Sequence, residues 1–432
     1  PSMSGSSTSG RPVLPPCCIS LTGIGTDNHY LYITFDLFTM HSVTSKLPQV
    51  GTTIFTVMSQ LAQEHQAINL SQGFPDYDID PVLLDKVSFY HGQGYHQYAP
   101  MPGILPLRKQ IAGMYAAQYH TVYDPDTEVL VTNGASEAIF SSMAAFLQQG
   151  DEVIIFEPAY DLYAPVVTLF GAKVIPVGTF APDFAVDWDA VATLCSDRTK
   201  LIVINNPNNP TGKMWGQEDF LALEQLVVRH PGLFVIADEV YGYITIGSRP
   251  FYSVSRFEQL KQRSIITASF GKLLHATGWK IGYCVAPAYL MQEIRKVHQF
   301  NVFAVNHALQ HAIADYIADA GVYLGLPGYF RPKHRLLAEG LEQAGFEVLP
   351  ADGTYFLLAG YRNLSDAGDT DFAGTMIREY GVAAIPVSAF YSDRYDGRLL
   401  RFCFAKKDET LQQAVSQLSG IKDRMRPGAA AI

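Results

Sequence analysis

Residues 264–283 read SIITASFGKLLHATGWKIGY. The first part, 264–267, has the composition of a buried strand, and Ala268-Ser269-Phe270-Gly271-Lys272 follows as a small-residue turn carrying one lysine. In open α/β sheets, ligands sit outside the carboxyl ends of the strands. Lys272 therefore stands where a ligand would sit. An amine in such a place must pair or lose its charge, and a neutral amine is a nucleophile towards a carbonyl. Taken alone, Lys272 also fits a solvated surface residue, because charged side chains are seldom buried. The rest of the chain decides between the two.

Upstream of this stretch a strand-turn-helix pattern repeats from about residue 128. Strands are predicted at 128–132, 152–156, 173–177, 201–205, 233–237 and 264–268, with helices at 134–147 and 217–229. Near-continuous Val/Ile/Leu runs mark strands buried on both faces, so an α/β fold with a mostly parallel sheet covered by helices is expected. Ile54, Phe55, Met58, Leu61 and Ala62 recur at helical spacing, which predicts a helix over 52–65. Helices are also expected at 81–91 and 103–119, and a helical stretch at 287–325. Pro327 and Gly328 punctuate the chain. Beyond them, helices at 332–345 and 370–380 and strands at 347–349, 354–358 and 399–404 suggest a smaller α+β domain.

The 432 residues are 48% hydrophobic and 17% charged, which fits a globular chain with a large core. A net charge of −10 argues against nucleic acid as a partner. No apolar run reaches the about 18 residues of a membrane span. Cys17, Cys18, Cys195, Cys284 and Cys403 form no C-x-x-C pair, which favours reduced thiols and a cytoplasmic setting. Residues 1–39 read as an N-terminal extension, rich in Ser, Gly and Pro at its start and without the basic start or cleavage site of a signal peptide. Met40 is a candidate start of the folded protein, and 426–432 reads as a frayed tail.

Polar residues now fall at the carboxyl ends of the predicted strands: Ser136, Tyr160, Asn209, Asp238, Tyr241, Ser269 and Lys272. Each has a plain structural reading: a helix cap at 134–136, a turn at Asn209-Pro210, a solvated pair at Asp238-Glu239, a core tyrosine at 160. Together they supply what pyridoxal phosphate needs. Its aldehyde needs a lysine for a Schiff base, which Lys272 provides. Its ring nitrogen stays protonated beside a carboxylate, for which Asp238 is the candidate. Asn209 and Tyr241 suit its phenolic oxygen, and Tyr160 its ring face. Gly134-Ala135-Ser136 at a helix start suits the phosphate, with Ser269 and Lys280 adding a hydroxyl and a charge.

With these residues in place the chain resembles the fold-type I, class I/II aminotransferases. The resemblance rests on Asn208-Asn209-Pro210-Thr211-Gly212, Asp238-Glu239-Val240-Tyr241 and Ser269-Phe270-Gly271-Lys272 with Thr277-Gly278-Trp279-Lys280-Ile281-Gly282. It runs from about residue 40 to 425. Asn69-Leu70-Ser71-Gln72-Gly73-Phe74-Pro75, Gln97-Tyr98-Ala99-Pro100, Gly353-Thr354-Tyr355-Phe356 and Arg401-Phe402-Cys403-Phe404-Ala405-Lys406-Lys407 are similar to the bacterial methionine aminotransferases and the kynurenine aminotransferase/glutamine transaminase K branch. Many class I members have arginine where this chain has Lys280, and the lysine marks the kynurenine-type branch.

The resemblance implies a seven-stranded sheet in a large coenzyme-binding domain (81–326), an N-terminal arm (40–80) and a small domain (327–425). It implies that Arg401, Gly73 and Asn209 hold the substrate carboxylate, a task suited to arginine's fork. It implies a homodimer with shared sites, in which Tyr98 reaches the partner's coenzyme phosphate. Phe55, and Phe300 or Phe303 from the second subunit, would line an apolar pocket. The implied reaction is ping-pong transfer from an amino acid, methionine or aromatic, to a 2-oxo acid. Cysteine-conjugate β-lyase chemistry would use the same site. A coenzyme-sensing transcription regulator would need a basic module, yet residues 1–39 hold one Arg and no Lys. Neither Gly271-Lys272 nor Gly212-Lys213 has the spacing of a phosphate-binding loop. His298 lacks a spaced second ligand, so no metal site is expected.

Overall fold

The computed structural model describes residues 43–425, so the expected extension at 1–39, Met40, the tail at 426–432, Cys17 and Cys18 lie outside the described residues. Seven strands form the larger sheet. They are β1 (Val129–Thr132), β2 (Glu152–Glu157), β3 (Lys173–Gly178), β4 (Thr199–Asn205), β5 (Phe234–Asp238), β6 (Ser264–Ser269) and β7 (Gly282–Val285). Their order is β1-β7-β6-β5-β4-β2-β3, and only β7 runs against the rest.

Alternation across the pleat sends neighbouring residues to different cores. Ile154, Ile202, Val235 and Ile266 pack into one, whereas Val153, Val203, Ile236 and Ile265 pack into the other. Both faces are therefore buried, which is why these strands read as unbroken apolar runs. Register then lines up the strand ends. Asn205 stands opposite Asp238, Asp238 opposite Thr267, and Ser269 and Thr132 both opposite Gly282. Because β7 is antiparallel, it begins at the edge where its neighbours end, and this brings Lys280 to that edge.

A smaller antiparallel sheet has the order β10-β11-β9-β8, from β8 (Glu347–Val348), β9 (Phe356–Gly360), β10 (Ile385–Pro386) and β11 (Leu399–Cys403). Arg401 lies on its second strand, paired with Leu358 on one side and Ile385 on the other. Ile68 and Asn69 pair in parallel with Val382 and Ala383, and the Cys403 N–H donates to the Leu70 carbonyl at 2.8 Å. Those bonds lay the segment after Leu70 beside Arg401.

Several expected elements shift. The expected helix at 332–345 starts earlier, as Leu326–Gln343, because a proline in the first helical turn loses no intrahelical bond. The expected strand at 354–358 begins at Phe356, since Thr354 takes a left-handed φ of +66° and its hydroxyl accepts the Phe356 N–H. The helical stretch at 287–325 is three helices, Ala288–Asn301, His307–Tyr316 and Gly321–Leu324. Phe303 at φ +67° breaks the first, and Asn306 caps the second by accepting the Leu309 N–H. Strand β7 and the helix Asp408–Leu418 were not expected at all. No helix among the described residues is long and apolar enough to cross a membrane.

Candidate active site

The strand ends meet Arg401 around a cavity of about 380 Å³. Gly73, Gly134, Ala135, Ser136, Tyr160, Asn209, Asp238, Tyr241, Ser269, Lys272, Lys280, Arg401 and Phe55 all line it. Tyr98, Phe300 and Phe303 do not. Tyr98 is 82% and Phe300 86% exposed, and Tyr98 meets Phe303 edge-on at 5.4 Å.

Lys272 sits on a single helical turn, Phe270–Leu273, directly after β6. Its Nζ donates to the Gly73 carbonyl at 3.3 Å, and Tyr355 Oη donates to the same oxygen at 2.6 Å. The amine lies 5.4 Å from the ring centre of Tyr355 and 5.7 Å from that of Tyr241. Burial is the main force lowering its pKa to about 8. Its neutral fraction thus grows as pH rises through that value, well below the about 10.4 of a solvated lysine. Competitive acetylation of the coenzyme-free protein should accordingly show Lys272 labelling with a midpoint near pH 8. A midpoint beyond pH about 10 would contradict this environment.

Asp238 ends β5. Its Oδ2 accepts from Tyr163 Oη at 2.6 Å and its Oδ1 from the Val240 N–H at 3.4 Å. Burial pushes the carboxyl up to about 6, while those two bonds and the Lys272 charge pull the other way. Asn205, opposite Asp238 in register, braces the floor. Its Nδ2 donates to the Asp238 carbonyl at 2.9 Å, and its Oδ1 accepts the Asn209 N–H at 2.7 Å. Neither Tyr163 nor Asn205 was singled out from the sequence. A polar residue closing an apolar strand, and a tyrosine three positions beyond Tyr160, were the available signals.

At the other end of the cavity the helix Gly134–Phe146 presents its N-terminus, and its N-cap, Asn133, makes no side-chain capping bond. Gly134 has φ +77°, and a Cβ there would stand 3.1 Å from Lys280 Nζ. Lys280 itself is left-handed at φ +54°. A bare helix start, a nearby ammonium and the hydroxyls of Ser136 and Ser269 make an anion site. Tyr160 forms a wall beside Ser136, its phenol pushed up to about 12, chiefly by burial.

Arg401 is only 1% exposed. Its NH1 donates to Asn209 Oδ1 and its NH2 to the Ser71 carbonyl, both at 2.7 Å. The guanidinium lies 3.9 Å from the ring centre of Phe356. Burial lowers its pKa to about 10, so it remains a cation at neutral pH. No carboxylate pairs with it among the described residues, and its Nε lacks a partner. A desolvated cation without an acid is what a ligand carboxylate completes. Gly73 guards this arrangement, since a Cβ there would fall 2.6 Å from Phe356 Cζ. Gly73→Ala should push Phe356 from beneath Arg401 and raise the amino-acid KM about tenfold, the scale of an overpacking strain. Steady-state kinetics would check this, and an unchanged KM would contradict it.

His298 is a buried core residue, with Nδ1 at 3.2 Å from Glu137 Oε1 and Nε2 at 3.2 Å from the Met101 carbonyl. No cluster of three or more metal-ligating side chains occurs among the described residues. The chain's own features suit pyridoxal phosphate: the Cβ-free cradle at Gly134, the uncapped helix start, and the Asp238–Tyr163 pair in one cavity with a lysine of lowered pKa.

The chain belongs to the class I and II aminotransferases, whose family pattern matches residues 65–418. It is therefore an aminotransferase that uses pyridoxal phosphate and acts on amino acids and 2-oxo acids. It is 47% identical over 375 residues to the methionine aminotransferase of Escherichia coli strain K12, covering 87% of this chain and 97% of that one. Against the kynurenine–oxoglutarate transaminase of Dictyostelium discoideum it is 30% identical over 411 residues, covering 86% and 94%. The crystal structure of an Escherichia coli protein with a methionine aminotransferase function superposes with a TM-score of 0.86 at 46% identity, covering 88% of this chain and 99% of that chain. The expected fold class agrees with this likeness and with the two sheets.

Proposed function

We propose that this enzyme takes the amino group from an amino acid with a neutral side chain, methionine or an aromatic residue first, and passes it to a 2-oxo acid in ping-pong order through one site. The observation that carries the proposal is Arg401, a buried cation with no acid partner, in one cavity with Lys272 and the apolar rings of Phe55 and Phe356. The 47% identity to a methionine aminotransferase supports the side-chain preference.

When bound, pyridoxal phosphate supplies an aldehyde carbon and an electron-withdrawing ring. Lys272, Asp238, Asn209 and Tyr241 would hold its aldehyde, ring nitrogen and phenolic oxygen. Gly134, Ala135, Ser136, Ser269 and Lys280 would hold its phosphate, and Tyr160 its ring face. Arg401 binds the substrate α-carboxylate, with the Gly73 peptide beside it, and Asn209 fixes the guanidinium through its Oδ1. That grip orients the α-hydrogen towards Lys272. The Lys272 amine, whose pKa burial lowers to about 8, takes the α-proton in its neutral form and later returns it as general acid. Tyr163 holds Asp238 in its ionised, charge-stabilising form by donating to it. Phe55 and Phe356 exclude water from the substrate side.

Residues 81–326 are read as the coenzyme-binding domain and 327–425 as the small domain, joined by the arm at 40–80. Tyr98, Phe300 and Phe303 would serve the site of a second copy in a homodimer, consistent with the exposure of the first two. Screening amino acids one at a time against several 2-oxo acids tests the reading. Methionine and aromatic amino acids should give the highest kcat/KM, and a preference for aspartate would contradict it.

A further inference from the structure

The cavity has five charged lining residues: Lys272, Lys280, Arg401, Asp238 and Asp161. The first four already have partners or tasks. Asp161 has neither. It makes no side-chain hydrogen bond or ion pair to another residue among those described, and it stands exposed beside Tyr160 at the cavity mouth. It shares the cavity with Arg401 without touching it, and the two charges act on each other across that space. Once the coenzyme phosphate faces Lys280 and the α-carboxylate faces Arg401, Asp161 is the lining charge left without an opposite.

We propose that Asp161 sets the charge selectivity of the substrate pocket, rejecting amino acids and 2-oxo acids whose side chain ends in a second carboxylate. The proposal rests on the substrate reading above. Arg401 treats all α-carboxylates alike, so it cannot separate a neutral side chain from an acidic one. A second fixed carboxylate in the same cavity can, because both amino acids share the α-carboxylate and only the acidic one brings a further like charge, whose repulsion within a partly desolvated cavity is enough for about tenfold discrimination or more.

Glutamine and glutamate are nearly isosteric and differ by one charge, so their ratio isolates this effect. The purified holoenzyme should show a kcat/KM about tenfold or more higher for glutamine than for glutamate. Asp161→Asn should lower that ratio about tenfold, and should tighten inhibition by glutarate relative to butyrate. Equal use of both amino acids by the wild type would overturn the proposal without any variant, so it stays testable even if Asp161→Asn fails to fold. An unchanged ratio in a folded Asp161→Asn would overturn it as well. Absence of transfer from glutamine and methionine alike would instead overturn the substrate reading, and this proposal with it.

Discussion

Lys272→Ala is expected to lower kcat by about 10⁴-fold, the upper range for loss of a positioned general acid–base. The visible absorption that depends on a covalent lysine–coenzyme bond should vanish with it. The fold should survive, since the side chain makes one hydrogen bond, to the Gly73 carbonyl, and that oxygen keeps the shorter bond from Tyr355. Removing a desolvated amine also removes the cost of burying it. Stopped-flow kinetics and an absorption spectrum check both halves. Retained turnover would contradict the role of Lys272, whereas lost turnover with an unfolded circular dichroism spectrum would point to structure instead. The neighbouring Lys280 offers a control, because its distance from Gly134 places it at the anion end of the cavity.

Arg401→Ala should lower kcat/KM for amino acids by about 10²–10³-fold, the loss of about 3–4 kcal/mol when two charge-assisted bonds to a carboxylate go. Coenzyme affinity should fall far less. The guanidinium meets Asn209, the Ser71 carbonyl and three aromatic rings, and none of the anion-site residues. Stability should change little, because the desolvation cost of a buried cation without an acid partner offsets its two hydrogen bonds. Kinetics together with a coenzyme titration separates these outcomes, and equal loss of both affinities would argue against the carboxylate role.

Much of this site was legible because polar residues interrupt apolar runs. Thr267 to Lys272 and Asn205 to Asn209 show the change from buried strand to strand-end loop within a few residues. The apolar runs of β2, β4, β5 and β6 mark strands whose two faces meet two different cores. Register left no such mark. That Asn205 stands opposite Asp238, and so braces both it and Asn209, follows from how the strands pair rather than from what they contain. Strand β7 escaped because it opens on Gly282 within a motif that reads as a loop, and its reversed direction is what delivers Lys280. Arg401 was placed by resemblance alone. Its lack of an ion-pair partner among the described residues, its bonds to Asn209 and Ser71 and its stacking on Phe356 arise from packing between segments 45 to 330 residues apart. Asp161 carried no signal in the sequence beyond following Tyr160, and gained meaning only when the other charges in the cavity found partners.

Lys272, and no other lysine, is expected to carry the coenzyme. Borohydride reduction of the holoenzyme followed by peptide mass mapping tests it most directly. The coenzyme's added mass should appear on Lys272, at one copy per chain. The same mass on Lys280, or on no lysine at all, would contradict it.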